Sequence, residues 1–374
     1  MKQVRVAIIG QGRSGRDIHG NYLKTDERFK IVAAVDLIAE RRRRAAEEYG
    51  CDVYADYREI MVRDDVDLVV NSTFSHLHVP VTLDLLKAGF NVLCEKPLAA
   101  RAREVDMLIA AAKKARRVLA IYQQSRYAPY FQQALKVIKS GVLGRIVQIS
   151  IQFNSHSRRW DWQTYTGYNG GSLLNTGPHP LDQALVLFGD GMPRVTCFMD
   201  RTEGSFGDAE NHVKLLLSGR GHPLIDLEVS SCCAYPVFTY QVYGSRGGLK
   251  GTSSSMEWRY FKPSEAPRHK LTLVPLSSPD GTPCYPSENL KWHTGSWPTP
   301  DGSDGKKAAY SAAAAPTQGG MTGSYYSMLY KTLTAGKPLE ITPEQVRRQI
   351  AVIEECHRQN PQIRRRRARW TGRG

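Results

Sequence analysis

Short apolar runs alternate with amphipathic stretches over residues 1–124. Val4–Ile9 is apolar and ends at a glycine, and Ile31–Val35 repeats the pattern. Asp67–Asn71, with Leu68-Val69-Val70 at its centre, Asn91–Cys94 and Val118–Tyr122 follow. Between them Ala39–Tyr49, Val79–Ala88 and Arg103–Ala115 have helical spacing. Apolar strands separated by helices predict a parallel sheet covered on both faces. After about Gln124 the period changes. Val147, Ile149, Ile151 and Phe153 alternate with Gln148, Ser150, Gln152 and Asn154, which predicts a strand with one wet face. Arg194–Thr202, Val213–Ser218, Leu224–Cys232 and Val237–Tyr243 are further strand-like segments, so the second sheet is expected to be large, open and mostly antiparallel. Residues 299–320 read as a long loop rich in small residues. A last helix is expected at Pro343–Gln359, with Thr342 as N-cap and Pro343 at the first position.

The expected organisation is an α/β Rossmann domain, a doubly wound parallel sheet, over 1–124. An α+β domain over 125–360 follows, with an extension at about 256–320, and then a basic tail at 361–374. The extension, with Trp292 and Trp297, is a candidate cover for a cleft or an assembly element.

Composition narrows the class. The chain has 374 residues, 41% hydrophobic and 23% charged, which suits a globular protein with a sizeable core. No apolar run approaches a membrane span, and Met1–Arg5 leads straight into a short strand, so a cytoplasmic protein is expected. The cysteines (Cys51, Cys94, Cys197, Cys232, Cys233, Cys284 and Cys356) are odd in number and form no Cys-x-x-Cys pair. That argues against a disulfide framework and a metal site. The net charge of +15 is concentrated at Arg41–Arg44 and in the tail. No recognised nucleic-acid module accompanies it, so nucleic acid is not the expected partner. The tail reads as a disordered end, dispensable for catalysis.

Gly10-Gln11-Gly12-Arg13-Ser14-Gly15 is Gly-x-Gly-x-x-Gly, placed between the first strand and a helical stretch. There the first glycine permits a tight turn, the second lets backbone approach a pyrophosphate, and the third lets helix and strand pack. The helix start offers N–H groups to phosphate. Asp36 closes the second strand, 21 positions after Gly15. A carboxylate there accepts bonds from ribose hydroxyls and repels a 2′-phosphate, which favours NAD. The arginines at 41 to 44 keep NADP as the alternative.

Glu95-Lys96-Pro97 follows the strand Asn91–Cys94. With the glycine fingerprint it resembles the glucose–fructose oxidoreductase/inositol dehydrogenase/MocA family. Thr73-Phe74-Ser75-His76-Leu77-His78 is similar to that family's Thr-Pro-x-x-x-His, with Phe74 in place of proline. Trp162, the stretch Gly170–Asp182 containing Asn175 and His179, Gly247-Gly248-Leu249 and Gly336-Lys337-Pro338 continue the resemblance. It covers nearly the whole chain apart from about 256–320 and the tail. It implies hydride transfer between nicotinamide and a hydroxyl-bearing carbon, with Lys96 and His179 flanking that carbon. It also implies a second sheet that forms homo-oligomer contacts.

Elementary chemistry agrees. Alcohol oxidation needs a base, and His179 has a suitable ordinary pKa. Lys96 can stabilise developing negative charge on oxygen. Asn175 stands where the family usually has aspartate; it can bond substrate or orient His179 but cannot ionise. The expected cofactor contacts are Gly10, Gly12, Arg13, Ser14, Gly15, Asp36, Thr73, His78, Glu95, Lys96 and Trp162. The expected substrate contacts are Arg126, His156, Arg158, Trp160, Tyr165, Asn175 and Asp182, and Asp182 could also steer His179 from one turn away. The aromatic and polar side chains of 156–165 suit sugar or cyclitol recognition.

The leading expectation is therefore an NAD(P)-dependent dehydrogenase of a sugar, glycoside or inositol, forming a keto-sugar or keto-glycoside. A glycoside-cleaving enzyme that oxidises the ring transiently on retained NAD is the alternative. A non-catalytic NAD-binding regulator is a third reading, against which the presence of both Lys96 and His179 argues.

Overall fold

The computed structural model describes residues 2–298 and 320–363. Most of the loop read at 299–320, and the tail from 364 onward, lie outside the described residues.

The first sheet has six parallel strands in the order β3-β2-β1-β4-β5-β6. These are β1 (Val4–Ile9), β2 (Phe29–Val35), β3 (Asp52–Tyr54), β4 (Leu68–Asn71), β5 (Asn91–Cys94) and β6 (Leu119–Ile121). Burial explains the assignments. Val6, Ala7, Ile8, Leu68, Val69, Val70, Val92 and Leu93 are all fully buried, as both-face coverage requires. The covering helices include α1 (Arg13–Gly20, a wide π-type helix), α2 (Ala39–Tyr49), α3 (His78–Lys87) and α4 (Ala102–Ala115). The strand order reverses between β1 and β4, and ligands of such sheets sit beside the strand ends at that reversal.

The second sheet has eight strands in the order β14-β13-β12-β11-β7-β10-β9-β8. They are β7 (Ile146–Asn154), β8 (Arg194–Asp200), β9 (His212–Ser218), β10 (Leu224–Ser230), β11 (Tyr240–Gly244), β12 (Gly247–Gly251), β13 (Ser255–Tyr260) and β14 (His293–Pro298). All neighbours are antiparallel except β7 with β10. In β8, Val195, Cys197 and Met199 are buried while Arg194, Thr196, Phe198 and Asp200 face outward. One face therefore packs on helices and the other is open.

Two features differ from expectation. The stretch read as an extension begins and continues as sheet, since β13 and β14 lengthen its edge. Their pairing brings Gly295 against the Trp258 ring, where a side chain would collide. The chain also returns to the first sheet after the second. Besides α5 (Pro129–Lys139) and α6 (Pro178–Phe188), the described residues include α7 (Met321–Ala335) and α8 (Pro343–Gln359). In α7, Tyr325 and Tyr326 are fully buried, and the Tyr325 hydroxyl donates to the Ile121 carbonyl at 2.6 Å. Helix α8 starts as read, with a Thr342–Gln345 capping box worth about 1 kcal/mol. It bridges both parts. Gln349 accepts from Gln123 and donates to the Pro178 carbonyl at 2.6 Å, and Gln359 meets the β8 backbone at Cys197. No helix among the described residues is long and apolar enough to cross a membrane.

Candidate active site

The glycine loop differs at each of its three glycines. Gly10 has φ of +88°, and a Cβ there would meet the Ser72 carbonyl oxygen at 2.5 Å. A Cβ on Gly15 would come within 1.7 Å of the Gly10 carbonyl oxygen. Gly12 is open, with the Arg41 guanidinium nearest at 3.7 Å. Two glycines thus let the chain pack, and the third leaves a bare cradle at the start of α1. Arg13 is exposed and Ser14 half-buried beside it. Asp36 is buried, and its carboxylate accepts from the Gln11 N–H at 2.7 Å and the Ile38 N–H at 2.9 Å. Arg41 lies 3.5 Å from the same carboxylate. These groups fit a dinucleotide: N–H groups for its phosphates and a carboxylate for its ribose.

Glu95-Lys96-Pro97 is held from three sides, and its Lys96–Pro97 peptide is cis. The buried Glu95 carboxylate meets His19 Nε2 at 3.2 Å and accepts from the Lys96 N–H at 3.0 Å. His19 Nδ1 lies 2.7 Å from the Tyr326 hydroxyl. A line of contacts therefore ties α7, α1 and the lysine loop together. Burial alone would raise the Glu95 pKa, but the His19 bond and nearby positive charge hold it below the usual range. Glu95 was expected to touch cofactor; its carboxylate meets His19 and backbone. His78, expected there too, is similarly engaged. Its buried ring faces the Pro97 carbonyl at 2.7 Å and the Thr73 carbonyl at 3.1 Å, so it positions the loop. The Thr73 hydroxyl donates to Asn71 at 2.8 Å.

Lys96 Nζ donates to the Asn175 carbonyl at 2.8 Å, which joins the lysine loop to the short helical turn Ser172–Asn175. Burial pushes the Lys96 ammonium down from its ordinary value. Glu95 opposes this, and Arg13 and Arg159 add to it. His179 is buried at the start of α6, with Nδ1 3.1 Å from the Ser125 hydroxyl. Burial, then the Lys96 charge, pushes its pKa well below the usual histidine range. Lys96 thus reaches the Asn175 main chain, and its charge acts on the buried His179 ring.

Arg126 and Asp182 were expected to bind substrate. They pair with each other instead: the Arg126 fork holds both Asp182 oxygens, Nε at 2.9 Å, and its Nη1 also donates to Gln345 at 2.6 Å. Asp182 is buried, and Ser125 stands beside His179 where Asp182 was expected.

The 156–165 segment is mostly exposed. His156 bridges to Cys232 across the strand ends. Trp160 is 79% exposed, near Phe206, and Tyr165 is 49% exposed. Trp162 packs edge-on against Phe74 at 5.0 Å and near Tyr168 at 6.2 Å. Phe74, the departure from proline, thereby anchors the loop after β4 to the second part of the chain. Sequence reasoning missed His19 and Ser125. Both are lone polar residues whose partners lie 76 and 54 positions away.

Residues 4–123 match the model described as an oxidoreductase family with an NAD-binding Rossmann fold, and residues 131–250 match its GFO/IDH/MocA C-terminal domain. A D-glucoside 3-dehydrogenase of Escherichia coli is 30% identical over 190 residues, 50% of this chain and 54% of that protein. A myo-inositol 2-dehydrogenase of Thermotoga maritima is 27% identical over 255 residues, 66% and 74% of the two chains. The chain spans about half the length of several relatives it matches. An oxidoreductase structure from Bacillus subtilis superposes with a TM-score of 0.77 over 97% of both chains at 20% identity, which shows a shared fold.

Proposed function

We propose, from the premise that this chain belongs to the GFO/IDH/MocA oxidoreductase family with its NAD-binding Rossmann fold, that it is a dehydrogenase acting on a secondary hydroxyl of a sugar, glycoside or inositol. The observation that carries this is the bond from Lys96 to the Asn175 main chain, which holds half-buried Lys96 where its charge acts on buried His179. The names of the E. coli and T. maritima relatives support the substrate class.

Bound NAD supplies the hydride acceptor. The chain supplies the rest. Lys96 donates a hydrogen bond to the substrate oxygen and stabilises negative charge as the hydride leaves. His179 takes the hydroxyl proton, and its Nδ1 contact with the Ser125 hydroxyl orients the ring. Its depressed pKa keeps it neutral, and so able to accept, at physiological pH. The main-chain carbonyl of Asn175 accepts from Lys96, and its side-chain amide is the group offered to substrate. Assembly through the open face of the second sheet belongs to the same reading.

A panel of cyclitols, free sugars and glycosides tests it, followed by absorbance at 340 nm and product mass. The expected result is stoichiometric NADH and a product two hydrogens lighter. Release of aglycone without net NADH would replace this reading with ring oxidation followed by elimination.

A further inference from the structure

A cavity of about 190 Å³ opens beside Asn175, and its wall includes Arg158, Arg159, Thr176, Asn211 and Ser230. It is smaller than the roughly 300–1,000 Å³ usual for drug-sized ligands, which suits one sugar ring. The wall carries hydroxyls, amides and two guanidinium groups, with Phe153, Phe206 and Val229 among them. It touches the Asn175–Thr176 segment, whose carbonyl holds Lys96 Nζ at 2.8 Å, so a ring seated here lies next to the proposed reacting centre.

The two arginines are not equivalent. Arg159 is paired with Asp161 at 2.6 Å. Arg158 has no carboxylate partner among the described residues. Its Nε donates to the Gly204 carbonyl at 2.9 Å, and its guanidinium lies 5.0 Å from the centre of the Phe206 ring. Those two contacts fix the plane of the group and leave the terminal amino nitrogens to accept a ligand. A fixed guanidinium edge suits two oxygens of a carboxylate or phosphate better than one neutral hydroxyl. The acidic group on the same wall, Glu210, is buried. Its Oε1 accepts from the Leu173 N–H at 3.0 Å, and a Cβ on Gly171 would meet the carboxylate at 2.4 Å.

We infer that this cavity is an anion-selective sugar subsite, and that the preferred substrate carries an anionic oxygen group held by Arg158. The inference rests on the dehydrogenase reading above and narrows its substrate class from sugars in general to acidic ones. The positive field from Arg13 and Arg159 that acts on Lys96 has the same sense.

Calorimetric titration of the NADH-loaded protein tests it without turnover. The three ligands are methyl glucoside, methyl glucuronide and methyl glucoside 6-phosphate. The expected result is that an acidic ligand binds roughly 10–100-fold more tightly than the neutral one, the range for a hydrogen bond to a charged group. The advantage should shrink at high salt, because Arg158 is exposed. Arg158→Leu should collapse the acid-to-neutral ratio, and Arg158→Lys should keep part of it. Tighter glucuronide binding would identify the anion as a carboxylate; tighter 6-phosphate binding would identify it as a phosphate. Equal binding of all three, or a ratio unchanged in Arg158→Leu, would overturn the subsite. Failure of all three to bind while NADH binding is intact would overturn the subsite, while turnover in the substrate panel decides the dehydrogenase reading separately.

Discussion

On the cofactor side of the cleft, placement is made by backbone. Gly10 and Gly15 touch main-chain atoms, Asp36 is buried against two N–H groups, and Glu95 is locked to His19. On the proposed substrate side, Arg158, Trp160 and Tyr165 stand exposed on a loop after β7. The first wall tolerates almost no change of shape. The second can exchange side chains without disturbing the sheet beneath it. A scaffold built this way keeps one redox partner and varies its sugar, which is why family membership speaks to the cofactor and leaves the substrate to be argued from the site.

Substitutions on each wall can break or sharpen that contrast. The largest effect is expected from Gly15→Ala, whose methyl group would sit 1.7 Å from the Gly10 carbonyl oxygen. That variant should fail to give folded, soluble protein. Gly12→Ala has space, so it should fold with a near wild-type melting temperature while losing NAD affinity. Circular dichroism and cofactor titration separate the two, and equal behaviour would remove the distinction between packing and cradle glycines.

Asp182→Asn comes next. It leaves the largely buried Arg126 charge without its carboxylate, which typically costs about 3–5 kcal/mol. Denaturant unfolding should show that loss, with substrate KM nearly unchanged. A large KM effect at unchanged stability would restore Asp182 to the substrate wall.

Asn175→Asp should have a moderate effect, visible in pH dependence. His179 acts in its neutral form, so activity is present above its pKa and lost as pH falls through it. Because burial and Lys96 lower that pKa, the acid limb of kcat/KM should lie below about 6.5. A carboxylate at 175 favours the imidazolium and should move the limb upward. An unmoved limb would separate Asn175 from the base.

The smallest effect on the fold is expected from Trp160→Ala. The side chain is 79% exposed, so stability should change by no more than about 0.5 kcal/mol. Any change should fall on KM. A drop in melting temperature would show that this wall is not freely exchangeable.

Much of the first sheet was legible because its strands are buried on both faces and read as unbroken apolar runs. β3 was missed because Asp52–Tyr54 is three residues long, half-buried and at the sheet edge. β12 escaped because glycines replace the alternating pattern, and β14 because thirty-odd residues separate it from β13. In the proposed site, Lys96 and His179 were singled out by motifs. The Arg126–Asp182 pair was not foreseen because partners 56 positions apart leave no local trace. His19 and Ser125 went unseen for the same reason, since each takes its role from a packed neighbour and not from its own surroundings in the chain.

The central claim is that Lys96 and His179 handle the proton while the glycine loop holds the cofactor. Single-turnover reduction of NAD by the best substrate of the panel, in wild type, Lys96→Met and His179→Ala, tests it most directly when NAD affinity is measured alongside. Each variant should lose about two to four orders of magnitude in rate. NAD affinity should stay near wild type. A near wild-type rate in His179→Ala, or collapse of NAD affinity in both variants, would contradict the account.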